Sequence, residues 1–143
     1  MITWREKLEN PHPSHGKICK ILIPNPLDVD AVIRIIPKGK LVTDVQIREK
    51  LAKDNGADKT CSKVTGIFLR IAAEAAEEDK NNGKTQITPY WRVINKEGYL
   101  KPKFPGGVDA QALHLKEEGH TLLSAKGKKP HQVKDFEKSL VTL

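Results

Sequence analysis

The residues with most chemistry to offer stand in TPYWRVINKEG, residues 88–98, with Tyr99 directly after. Aromatic residues are only 5% of the chain, yet Tyr90, Trp91 and Tyr99 fall within ten positions beside Arg92. Two readings suit them. Rings next to a guanidinium can wall a pocket that stacks a flat ligand such as a nucleobase. The same rings can equally fill the small core behind a hairpin. A second reactive group is the thiol of Cys61, at the start of a helical stretch, where a helix N-terminus can lower its pKa. No histidine lies near it in sequence to serve as a base. His12, His15 and Cys19 have a spacing that a metal could use. They supply three ligands and no fourth, in turn-rich sequence, so no metal site is assigned and no cofactor is expected.

Composition narrows the function classes. The 143 residues fit one domain with a core of two or three layers, and 38% hydrophobic with 30% charged residues describes a soluble, rather polar domain. No apolar run approaches the roughly 20 residues that span a bilayer, so no membrane partner is expected. The start MITWREKLEN is charged at once, unlike a secretory signal. Two cysteines cannot build a disulfide framework, and a cytoplasmic location is the expectation. The net charge of +7 favours a polyanionic partner, nucleic acid first. Lys38, Lys40, Arg48, Lys50 and Lys53 form one basic group, and Lys126, Lys128, Lys129 and Lys134 another.

Four helices and a hairpin would position these groups. Residues 1–27 read as an amino-terminal arm with a short strand candidate at 18–24. Asp28 is a suitable N-cap for a first helix with Val29, Val32, Ile33 and Ile36 on one face, ended by Pro37 and Gly39. Thr43 caps a second helix over 44–54 that buries Val45, Ile47 and Leu51, and Asn55-Gly56 stops it. The pattern predicts a third helix over about 61–79 with Val64, Ile67, Phe68, Ile71, Ala72 and Ala75 as its apolar face. Its acidic end, Glu77 to Asp79, opposes the helix dipole and belongs in solvent, away from any polyanion. Two short strands are expected around the turn Asn95–Gly98. Gly106-Gly107 then precede a fourth helix, 108–119, with Ala110, Leu113 and His114 inward. A strand at 120–124 and a short helix over 133–141 close the chain. Two helices joined by a turn and followed by a hairpin outline a winged helix-turn-helix. The fold class is therefore mainly α with a small β-hairpin wing, the third helix entering a groove.

IPKGKLVTDVQI, CSKVTG, ITPYWRVINKEGYL, FPGG and LKEEGH stand in the order and spacing of one family. Over residues 28–120 the chain resembles the DNA-binding domain of the alkylguanine-DNA alkyltransferases (methylated-DNA–protein-cysteine methyltransferases), with the 121–143 basic tail outside the match. The resemblance implies a winged helix-turn-helix in which a cysteine of a Pro-Cys-His-Arg motif takes an alkyl group from a flipped guanine. Pro89, Arg92 and Val93 match that motif. Asn82 matches an asparagine that braces the turn, and Gly66 a glycine of the recognition helix beside the small Cys61 and Ser62. Gly106 and Gly107 match a Gly-Gly pair, and Glu118 the glutamate of a Cys-His-Glu relay.

The departures decide the chemistry. Tyr90 stands at the nucleophile position and Trp91 at the general-base position. Alkyl transfer needs a thiolate and an adjacent base, and a phenol with an indole supplies neither. The chain therefore is more similar to the alkyltransferase-like proteins that lack the acceptor cysteine, and no catalytic residue is assigned. Lys63 stands at the position of the arginine that fills the hole left by the flipped base. Asp44 stands at that of the tyrosine that rotates the phosphate. The resemblance implies a non-enzymatic protein that binds double-stranded DNA, alkylated DNA included, with a repair protein as a further partner to test. Its DNA-facing residues would be Cys61, Ser62, Lys63 and Gly66, with Lys38, Lys40 and Arg48 on phosphates. Its base pocket would comprise Tyr90, Trp91, Arg92, Tyr99, Asn82 and Glu118. Two alternatives stand beside this reading: a protein-interaction module on a retired alkyltransferase fold, and alkyl transfer to a displaced acceptor, Cys61.

Overall fold

The computed structural model describes residues 3–9, 19–124, 127 and 131–143, so His12, His15, Lys126, Lys128 and Lys129 lie outside the described residues. In chain order the elements are α1 (Trp4–Glu9), β1 (Ile21–Leu22), α2 (Pro26–Arg34), β2 (Val42–Thr43), α3 (Asp44–Asp54), β3 (Lys59–Thr60), α4 (Ser62–Asn81), β4 (Val93–Ile94), α5 (Gly107–Glu117), β5 (Leu122–Leu123) and β6 (Gln132–Val133). The mainly α class holds. The strands form three two-stranded pairs, β1 with β3 and β2 with β4 in parallel, and β5 with β6 antiparallel.

Local chemistry sets the helix ends. Asn25, not Asp28, caps α2: its side-chain oxygen accepts from the N–H of Leu27 at 2.9 Å. Pro26 follows at the first helical position, where its missing N–H costs nothing, and Asp28 falls in the first turn. Thr43 caps α3 as expected, within a full capping box: Thr43 accepts from the N–H of Gln46, and Gln46 from that of Thr43. The Gln46 amide also donates to the carbonyl of Val141, so this turn holds the chain's last residues.

The expected face of α4 holds at Ala72, which is buried, and at Phe68, which packs against the core, but not at the isoleucines. Thr65, Leu69, Ala72, Ala73 and Ala76 are buried, whereas Ile67 and Ile71 are about half exposed at 50% and 49%. The alanines let α4 lie close against Val29, Val32 and Ile33 of α2, and this short-range packing selects the small-residue stripe over the isoleucines. In α5 the buried residues are Gln111, Ala112 and Leu115, while Leu113 is exposed rather than inward.

The expected hairpin at 90–100 does not form. Tyr90–Arg92 make one 3-10 turn, and β4 pairs with β2, Val42 opposite Val93 and Thr43 opposite Ile94. The carbonyls of Trp91 and Val93 are taken by the side-chain amide of Gln111 at 3.0 and 2.8 Å. The Asn95–Gly98 turn is present, with Asn95 Oδ1 accepting from the N–H groups of Glu97 and Tyr99. The chain beyond it bonds to the carboxy-terminal segment instead: Leu100 N–H to His131 and Val133 N–H to Gly98. The closing helix is only a 3-10 turn, Phe136–Ser139. Buried side chains gather in two clusters, one around α2, α3 and α4 and one around α5, Leu41, Ile94, Leu100 and Val133. Trp91 packs against both.

Candidate nucleic-acid interface and the altered acceptor motif

Residues 88–92 are wedged between α2, α4 and α5. Thr88 is buried and its hydroxyl donates to Asp30 of α2 at 2.6 Å. Tyr90 comes next and is only 1% exposed, a member of the main core rather than a wall of an open pocket. Its hydroxyl donates to Glu77 Oε1 of α4 at 2.5 Å, and its ring meets Trp91 and Phe104 edge-on at 5.3 and 5.5 Å. Burial pushes the phenol far above its ordinary pKa, and the hydrogen bond and charge of Glu77 push the same way. Tyr90 therefore stays protonated and supplies no nucleophile.

Trp91 keeps one half of the relay that the resemblance implies. Its indole N–H donates to Glu118 Oε2 at 2.7 Å, and the ring stacks on His114 at 4.2 Å. An indole nitrogen is a donor only and cannot accept a proton from a neighbour. The position is thus still tied to Glu118, without a base.

Glu118 is an acceptor hub. Arg92 reaches its carboxylate through Nε at 3.0 Å and Nη2 at 2.9 Å, while Nη1 donates to the carbonyl of Ile36 at 2.6 Å. The N–H of Gly39 donates to the same carboxylate at 3.2 Å. Burial alone would raise the carboxyl's pKa. The hydrogen bonds of Arg92, Trp91 and Gly39, with the charge of Arg92, outweigh it and hold the group below the usual carboxylate range. His120, two residues on, has its Nε2 buried without a hydrogen-bond partner, and burial lowers its pKa against the opposing charge of Glu118. Both groups bind fewer protons folded than unfolded, so stability rises with pH across each window. Chemical denaturation is expected to show full stability between about pH 6.5, the ordinary histidine value, and about pH 10, where the unfolded but not the folded Tyr90 phenol begins to ionise. A first decline follows as pH falls below the histidine value, and a second below about pH 4.5, as Glu118 protonates. His120→Gln removes the first decline and leaves the second; a decline that survives this change contradicts the assignment.

A cleft of about 660 Å³ opens on the other side of Phe104, between the first half of α4 and residues 101–104. Ile67, Ile71, Pro102 and Phe104 give it an apolar floor, and Lys63, Arg70, Lys101 and Lys103 give it a cationic rim. Lys63, Ile67 and Arg70 recur at helical spacing on one face of α4. Ser62 and Gly66 also line this cleft and are exposed. A Cβ added at Gly66 would meet nothing within 4 Å, so internal packing does not require a glycine there.

The sequence-derived site residues are thus divided. Ser62, Lys63 and Gly66 come together in the cleft, and Cys61 stands just before them as the N-cap of α4, its side chain making no capping hydrogen bond. Lys38 and Lys40 are exposed on the turn after α2, and Arg48 lies on α3 beside a separate hollow with Lys53 and Lys59. None of the three lines the cleft. Trp91, Arg92 and Glu118 do form one cluster with Tyr90 beside it, but as packed and bonded structure rather than as an open base pocket. Asn82 is exposed at the C-terminal end of α4, away from that cluster's bonds, and Tyr99 is paired with Gln132. Arg70, Lys101, Gln111 and Phe104 were not singled out by sequence. Arg70 alone carried a signal, its spacing of seven from Lys63 on a helix.

The chain shares its fold with solved alkyltransferase-like structures, and Tyr90 and Trp91 stand where the resemblance places the acceptor thiol and the base. Among solved structures it is similar to S. pombe Atl1 in complex with damaged DNA containing O6-carboxymethylguanine, with TM-score 0.56 and 19% identity over 82% of this chain and 94% of that one. A second, S. pombe ATL in complex with DNA, gives TM-score 0.57 with the same identity and coverage. No family model matches the chain, and no curated protein sequence matches it.

Proposed function

We propose that this chain is a non-enzymatic DNA-binding protein that recognises damaged duplex, with alkylated guanine as the lesion to test and a repair protein as a further partner. The observation that carries the reading is the open cationic face of α4 on a fold shared with two DNA-bound chains. The motif beside it lacks a thiol and a base. Lys63 and Arg70 would contact backbone phosphates, which fixes position without reading sequence. Gly66 would let the helix backbone approach the groove closely.

Mobility-shift titrations with an alkylguanine duplex and its plain counterpart test this directly. Binding to both with preference for the lesion is expected; no binding to either at low salt overturns it. Weak binding indifferent to the lesion favours the protein-interaction alternative. Mass spectrometry after incubation with the alkylated duplex is expected to show Cys61 unmodified. Gly66→Ala separates function from folding. A mid-helix glycine is destabilising by roughly 0.5–1 kcal/mol relative to alanine, so the variant should melt at the same or a higher temperature while binding duplex more weakly. Unchanged binding would remove Gly66 from the interface.

A further inference from the structure

Of the four cations around the α4 cleft, Lys101 is the one held by an acid. Its Nζ lies 2.5 Å from Asp44 Oδ2, and the two side chains are 23% and 25% exposed, so the pair remains open to solvent. Lys63, Arg70 and Lys103 make no ion pair among the described residues. The placement of Lys101 is built rather than incidental. Its backbone N–H donates to Gln111 Oε1 at 2.7 Å, and Gln111 is itself buried and bonded to the carbonyls of Trp91 and Val93. Asp44 is equally fixed, as the first residue of α3 after the Thr43 cap, where the helix end favours a negative charge. The start of α3 and a loop position anchored through Gln111 thus bring one carboxylate to one ammonium on the margin of the cleft.

We propose that Lys101 is a phosphate subsite of the DNA interface and that Asp44 occupies it in the absence of DNA, setting its affinity. The proposal rests on the reading that the α4 face binds duplex, and deepens it. A phosphodiester oxygen offers Lys101 the same kind of charged acceptor that Asp44 now supplies. An arriving phosphate either displaces the carboxylate or lies beside it against like-charge repulsion. A carboxylate at this position would by itself repel a phosphate; paired with Lys101 it has a defined opponent, and the ion pair limits how tightly undamaged duplex is held.

The test is an anisotropy titration of labelled plain duplex at several salt concentrations between about 50 and 200 mM, with wild type, Asp44→Asn and Lys101→Met. Each phosphate neutralised contributes about 0.9 to the slope of log K against log salt. Asp44→Asn is expected to bind several-fold tighter with a steeper slope, and Lys101→Met to bind more weakly with a slope shallower by about 0.9. Melting curves accompany both variants, and each reports on the subsite independently of the other. Wild-type binding with Asp44→Asn equal or weaker, or with Lys101→Met at the wild-type slope, overturns the subsite and leaves the DNA-binding reading intact. No binding by any of the three proteins at the lowest salt overturns both.

Discussion

Glu118→Ala is expected to destabilise the protein by about 3–5 kcal/mol, the loss that follows when one partner of a buried ion pair is removed. Arg92 and Glu118 are only 13% and 6% exposed, so the guanidinium left behind would be a desolvated, uncompensated charge. The loss extends to the N–H groups of Gly39 and Trp91, which share the same carboxylate. Glu118→Gln keeps an acceptor oxygen while removing the charge, and its loss should be smaller. Urea unfolding at neutral pH measures both. Duplex affinity, measured well below the melting temperature, should change little in the glutamine variant. A stable Glu118→Ala protein with abolished DNA binding would show that Glu118 belongs to a binding site rather than to the scaffold.

Tyr90→Ala should have a comparable effect, about 3–5 kcal/mol, because it removes a buried ring from the centre of the core. The ring touches Trp91 and Phe104, and its hydroxyl ties residue 90 to Glu77 on α4. Tyr90→Phe keeps the volume and loses only that hydrogen bond to a carboxylate, so about 1.5–3 kcal/mol is expected. If Tyr90 were instead the floor of an open stacking pocket, the alanine variant would keep its stability and lose affinity. Unfolding and binding curves on the same two variants separate these outcomes.

What could be read from sequence follows the range of the interactions involved. The Thr43 cap, the α3 core residues Ile47 and Leu51, and the Asn55-Gly56 stop depend on neighbours within one helix, and they stood out. The segments that carry the resemblance keep their order although Tyr90 and Trp91 stand at the two chemical positions it implies, which is why the lack of a nucleophile there could be read at all. The hairpin failed for the opposite reason. Residues 90–100 carry a real turn, but their hydrogen bonds go to Gln111 and to residues 131–133, partners that no local pattern announces. On α4 a hydrophobicity criterion ranks isoleucine above alanine, whereas close packing on α2 favours alanine. Tyr90 is core rather than the wall of an open pocket, a difference hidden in sequence because ring content cannot distinguish a cavity from the side chain that fills it. Lys101 was hidden in KPKFPGG, where nothing local marks its pairing with Asp44.

If α4 meets duplex as proposed, its charge layout has a kinetic consequence. The helix is one uninterrupted rod of 20 residues, about 30 Å long. Lys63 and Arg70 are in its first half, and Glu74, Glu77, Glu78 and Asp79 crowd its second. Such a rod feels a torque in the field of a polyanion before any contact is made, and it turns its amino end forward. A molecule arriving the other way round is repelled rather than trapped in an unproductive complex. Salt should accordingly slow arrival on duplex more than it hastens departure. The same polarity would also select one heading of the helix across the groove over its reverse.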